Sequence, residues 1–204
     1  MKKLWGIYCF VVWGITTTLQ AAWFSPKTFT LNNGLQVVVL HNPKAPAVSH
    51  NLWVKAGGMD DPIGKSGVAH FLEHLFLRSA GGVPMDEFNK ILDRMGAQHN
   101  AATSWNYTHY YQEMPVIHLE KVMMMMAARL RKLELTPEMV SSERKVILEE
   151  RFMRVENEPK ALLQEAVSKS LFWHHPYGMS LIGWKHEMET LSQKDVESFH
   201  HAYY

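Results

Sequence analysis

Cysteine is nearly absent from this sequence: Cys9 is the only one in 204 residues, and it lies inside the apolar stretch from Leu4 to Ile15. A chain processed beyond that stretch has no disulfide, no thiolate metal ligand and no thiol nucleophile. An excess of either charge is lacking too. Lys and Arg total 21 against 20 Asp and Glu, a net charge of +1, which offers no broad field to draw in nucleic acid or anionic lipid. No apolar run approaches the roughly 20 residues that span a bilayer, and no internal repeat, low-complexity tract or linker is present. The remainder, 47% hydrophobic and 20% charged, is ordinary globular composition with length enough for one full core.

Residues 1–22 have the pattern of a secretory signal. Lys2 and Lys3 supply the positive start, about 12 apolar residues follow, and Thr16 to Ala22 turn small and polar, with Ala21 or Ala22 last before cleavage. The expected product is an exported domain of residues 23–204, with the bacterial periplasm as its compartment and no stable membrane span once the signal is removed.

Phe29-Thr30-Leu31 and Leu35 to Leu40 read as two strands around the turn Asn32-Asn33-Gly34, because Asn-Gly accepts the positive φ of a tight hairpin. Val48 to Ala56 alternates as a third strand, and Gly57, Gly58, Pro62 and Gly64 break the pattern. Helical spacing runs from Gly67 to Arg78 and from Pro84 to Met95, where Gly96 stops it. Ala97 to Thr103 and Tyr107 to Glu113 form two more strands. Pro115 opens a helix to about Lys132, Pro137 opens a long one to about Glu156, Pro159 starts another, and Ser192 to Tyr204 is helical again. Strands grouped apart from helices predict an α+β fold with a largely antiparallel sheet. Met123 to Met126 point around a whole helix and fill core rather than bind copper.

The chemistry centres on His70-Phe71-Leu72-Glu73-His74. Residues four apart on a helix share a face, so both imidazoles can meet one ion, and Glu73 lies on the flank where its carboxylate can hold water. Roughly one chain in twenty of this composition would carry such a motif by chance, so a third ligand is needed to support it. Glu143 and Glu150, seven apart and nearly in line on the long helix, share their side with Met139, Val146, Ile147 and Met153. Carboxylates on a core-facing stripe are costly unless paired or bound to metal. Glu149 projects away as a solvated charge. Two imidazoles and one carboxylate leave a fourth tetrahedral position for water, the open arrangement of a catalytic Zn2+, one per chain. His174, His175, His200 and His201 read as surface or helix-end residues, and Trp173, Trp184 and Tyr177 as core or rim aromatics.

The sequence resembles the pitrilysin and insulinase family of zinc peptidases, which includes the mitochondrial processing peptidases. The resemblance is carried by Gly67 to His74, Gly96 with Asn100 to Thr103, Thr108 to Tyr111, Glu143 to Glu150, His175-Pro176-Tyr177-Gly178 and Ile182-Gly183, in that order. It implies a zinc endopeptidase cutting extended peptides or unfolded segments, with His70, His74 and Glu150 as metal ligands and Glu73 as catalytic base. Glu143 would support the catalytic site by orienting a ligand or the water. Asn100, Ala101, Ala102 and Thr103 would be an edge strand to which substrate adds. Arg78-Ser79-Ala80 stands where a Gly-Thr turn is common, a departure that touches no ligand. Such enzymes are about twice this long or more, with a second homologous half, so the chain reads as an N-terminal portion or a product truncated at its C-terminal end, needing a second domain or subunit. A non-catalytic, partner-binding subunit of the family is the rival reading, although such relatives typically lack part of the motif.

Overall fold

The computed structural model describes residues 25–79 and 85–204; the expected signal at 1–22 lies outside them. The described chain falls into two compact units divided between Ala45 and Pro46. The first holds an antiparallel hairpin, β1 (Lys27–Thr30) and β2 (Gln36–Val39), with Lys27 opposite Val39 and Thr30 opposite Gln36.

The second unit carries a three-stranded antiparallel sheet in the order β3-β5-β4, from β3 (Ala47–Val54), β4 (Gln98–Thr103) and β5 (Thr108–Pro115). Central β5 alternates cleanly: Thr108, Tyr110, Gln112 and Met114 are buried on one face, while Glu113 is exposed on the other. That period of two sets one face against the helices. The helices are α1 (Val68–Arg78), α2 (Met85–Arg94), α3 (Leu119–Arg131), α4 (Pro137–Arg151), α5 (Pro159–Leu171), the single turn α6 (Lys185–Met188) and α7 (Gln193–Tyr203). The fold is α+β with antiparallel pairing throughout the described strands.

At 11 residues α1 is too short to be stable alone, so packing holds it. Phe71, Leu72, Leu75 and Phe76 are fully buried, each contributing about 1.5–3 kcal/mol in transfer from water. Their neighbours are α4, α7 and β4, and the Phe76 ring lies 4.6 Å from that of Tyr110 on β5. Gly67 caps the helix with φ of 84°. A Cβ there would also sit 2.7 Å from the Gly183 Cα, so glycine is required by conformation and by space.

Two helices differ from their expected course. Val116–His118 form a 3₁₀ turn ahead of α3, as is frequent at helix N-termini. The long helix is α-helical only to Arg151, then widens into a π-helix over Phe152–Glu156. The sequence carries no mark of that change. The methionine run also divides: Met126 is buried and Met125 packs against the core, whereas Met123 and Met124 are exposed. Core filling therefore holds for only half of it.

Candidate metal centre

Three chain segments meet at one end of a cleft of about 1030 Å³ lined by His70, Glu73, His74, Glu150 and the β4 residues Asn100 to Thr103. Helix α1 presents both histidines from one face, and its preceding loop is pinned at several points. The Asp61 carboxylate accepts from the backbone N–H groups of Gly67 at 2.6 Å and Ala69 at 2.9 Å. It thereby satisfies donors that the helix itself cannot pair. Glu187 accepts from the Ser66 N–H at 2.7 Å, and the Ser66 hydroxyl accepts from the Trp184 N–H at 2.9 Å.

Helix α4 enters through Thr136, whose hydroxyl accepts from the Met139 N–H at 3.2 Å, with Pro137 in the first turn. Its expected core-facing stripe is in fact split. Val140, Glu143 and Ile147 are buried, while Val146 (44% exposed) and Met153 (62% exposed) line the cleft together with Glu150. A stripe spaced at i, i+3, i+4 and i+7 is wide enough to straddle the core boundary. Glu150 therefore faces a cavity, and the apolar residues beside it are lining rather than core.

One ligand atom from each of His70, His74 and Glu150 lies within 4.8 Å of the others. Glu150 Oε2 is 3.8 Å from His70 Nε2 and 3.5 Å from His74 Nε2. Zinc bonds of about 2.0–2.1 Å in tetrahedral geometry place ligand atoms roughly 3.4 Å apart, so these side chains fit the ion after a small inward shift. Burial pulls the His70 pKa down to about 3, with the positive neighbours His74 and Arg154 adding to the effect. Its imidazole therefore stays neutral and keeps a lone pair to donate. Burial also opposes a charge on His74, but the Glu143 hydrogen bond and the carboxylates of Glu73, Glu143 and Glu150 outweigh it and raise the pKa. This surplus of negative charge around two imidazoles suits a cation.

Glu143 Oε1 lies 2.8 Å from His74 Nδ1. A carboxylate only accepts, so Nδ1 carries the proton and Nε2 is left free. Glu143 makes this contact from a position buried to 4% exposure. Burial raises the Glu73 pKa above the usual carboxylate range, against the Thr103 hydroxyl that donates to Glu73 Oε2 at 2.6 Å. Strand β4 pairs only with β5 among the described residues. The outward N–H of Ala101 on that edge is held by the Asn100 side-chain oxygen at 2.9 Å. Glu149 is exposed and lines the wider cleft without joining the cluster.

Four residues that sequence reasoning passed over take part. Asp61 caps α1 from a loop. Arg78 touches no ligand but pairs with Glu143 Oε2. Arg154 reaches Glu150 Oε1 at 2.7 Å. Buried Arg151 joins Glu156, Glu165, Ser180 and the Gly183 carbonyl. Only the Glu150 and Arg154 pair, four apart, left a sequence signal. His174, His175 and His201 are exposed and His200 is half-buried, as surface or helix-end residues should be. Trp173 is exposed, and Trp184 packs beneath the cations of Arg151 and Lys169.

Comparison with known proteins shows the family and the fold. The family model for insulinase, peptidase family M16, matches residues 36–185. The zinc protease PqqE of Helicobacter pylori is 32% identical across the whole chain, which covers 47% of that relative. A crystal structure of a protease from Helicobacter pylori superposes with a TM-score of 0.82 at 33% identity, over 87% of this chain and 43% of that one. An inactive peptidase M16 domain from Pseudomonas fluorescens shares the fold, with a TM-score of 0.79 at 16% identity, over 86% of this chain and 43% of that one. The chain thus spans under half the length of these relatives.

Proposed function

Since the chain belongs to the insulinase family, peptidase family M16, we propose that it is the metal-binding half of a zinc endopeptidase acting on extended peptides or unfolded segments. The observation that carries this reading is the convergence of His70, His74 and Glu150 from two helices at the end of the cleft that also holds Glu73. One zinc ion per chain is proposed, since two imidazoles and a carboxylate suit that ion and leave a position open. When bound, it would supply Lewis acidity, lowering the pKa of water and polarising the scissile carbonyl.

The remaining work falls to the chain's own side chains. Glu73 takes the proton of the attacking water and passes it to the departing nitrogen; burial raises its affinity for a proton, and Thr103 fixes its orientation. Glu143 holds the His74 ring so that Nε2 faces the cluster. Substrate backbone would add along β4 at Asn100 to Thr103, displacing the Asn100 side chain from the Ala101 N–H. Pairing of that kind reads main chain more than side chains.

A second homologous half or subunit closing the cleft is part of the proposal, given the share of the relatives that the chain covers. The Pseudomonas fluorescens domain, described as inactive, favours a second reading, a non-catalytic or partner-dependent subunit that binds peptides. Here the ligand trio and Glu73 are all in place, which supports catalysis. Export to the periplasm is proposed from the first 22 residues; among the described residues no helix is long and apolar enough to cross a membrane.

Glu73→Gln tests the assignment. Zinc content should match the parent, because Glu73 is not a ligand, while peptide hydrolysis in the complete assembly should fall by at least about 100-fold. Hydrolysis at the parent rate would remove Glu73 as the base.

A further inference from the structure

The metal-site reading assigns no task to Arg78, the last residue of α1, which lies one turn beyond His74 on the same face. Its Nε pairs with Glu143 Oε2, and its Nη1 lies 3.4 Å from the Ser142 hydroxyl. The other oxygen of that carboxylate accepts from His74 Nδ1. Arg78, Glu143 and His74 thus form a continuous chain that reaches Nδ1 of the ring whose Nε2 faces the cluster. We propose that Arg78 is a positioning residue for zinc, acting through Glu143 to fix the ring of His74.

The Glu143 side chain is 5% exposed, and Glu73 and Glu150 both act electrostatically on the same histidine. A buried anion in such company is costly unless both oxygens are matched. His74 hydrogen-bonds one, and Arg78 sets a positive charge against the other, which takes part in no regular hydrogen bond. With Arg78 removed, the cheapest escape for Glu143 is to rotate toward solvent, which releases Nδ1 and unlocks the ring that must present Nε2. The compensation needs a positive charge at the end of α1 more than a planar fork, so lysine should largely serve in its place.

This proposal rests on the zinc assignment, and the test separates the two. Zinc dissociation constants would be measured by chelator competition for the full chain, Arg78→Met, Arg78→Lys, Glu143→Gln and the double variant Arg78→Met with Glu143→Gln, with urea midpoints recorded for each. Arg78→Met should weaken zinc by about 10–100-fold, and Arg78→Lys should recover most of that loss. In the Glu143→Gln background, removing Arg78 should cost almost nothing further, because the amide has no charge to balance. If Arg78→Met is too unstable to measure, Arg78→Gln replaces it. Losses that multiply in the double variant, an Arg78→Lys as weak as Arg78→Met, or a loss that merely follows the urea midpoint would overturn the role of Arg78 while leaving the zinc site intact. A parent chain that binds no zinc would overturn both.

Discussion

The two helical walls of the cleft are built differently. The wall formed by α1 and α4 carries the candidate ligands on helices anchored in the core, with Leu72, Phe76 and Ile147 fully buried. It is cross-linked by Asp61 at the start of α1 and by Glu143 between the helices. The opposite wall, α5, has no buried residue at all. Leu163 is 65% exposed and Leu171 74%, and Trp173 just beyond the helix is 80% exposed. A buried guanidinium links α5 to α4, Arg151 meeting both oxygens of Glu165 at 3.1 and 3.0 Å. The candidate ligands thus sit on helices fixed by burial, whereas α5 depends more on side-chain pairing.

Removing that link should give the largest change in stability. Arg151→Met leaves Glu165, Glu156 and the Gly183 carbonyl without their partner, at a cost of about 3–5 kcal/mol in urea unfolding, whereas zinc affinity should stay within about threefold. Loss of zinc in parallel would mean that the two walls are one cooperative unit. The acid side of the stability profile gives a second readout. Burial works against the ionised form of Glu165, but its bonds to Arg151 and Ser180 and the charge of Lys169 prevail and lower its pKa. Its contribution is therefore present above the unfolded value, and is lost as pH falls through the lower folded value. The parent should lose stability faster than Arg151→Met on that descent.

A smaller effect is expected on the rigid wall at Asp61. Asp61→Ala leaves the Gly67 and Ala69 N–H groups without an acceptor and should cost about 1–3 kcal/mol. Because α1 carries the two candidate histidine ligands, zinc should weaken with it; unchanged zinc affinity at reduced stability would show that α1 holds its place without the cap. The smallest change is predicted just beyond α5: Trp173→Ser should alter unfolding by less than about 0.5 kcal/mol. A cost above 1 kcal/mol would mean that Trp173 packs against something in solution.

The same division decided what could be read in the sequence. His70, Glu73 and His74 are legible because a local period places them, and Glu150 because the register of α4 carries it to within reach of α1. The α+β class and most element positions follow from periodicity and from Pro and Gly punctuation. The π-helix was not legible, since the apolar pattern runs through Arg151 to Glu156 unchanged. Nor were Asp61 and Arg78, whose partners depend on how a loop and two helices are set against each other. The apolar residues on α4 and the π-helix after it were visible, but period alone does not say that Val146 and Met153 look into a cleft instead of a core.

The central claim, that α4 turns Glu150 and not its neighbour onto the two histidines, is tested most directly by zinc titration of Glu150→Gln and Glu149→Gln beside the parent. Glu150→Gln should bind zinc at least about 100-fold more weakly, because it removes the single anionic ligand, and Glu149→Gln should match the parent, having given up only an exposed charge. Tight zinc binding by Glu150→Gln, with the loss appearing in Glu149→Gln, would contradict the account.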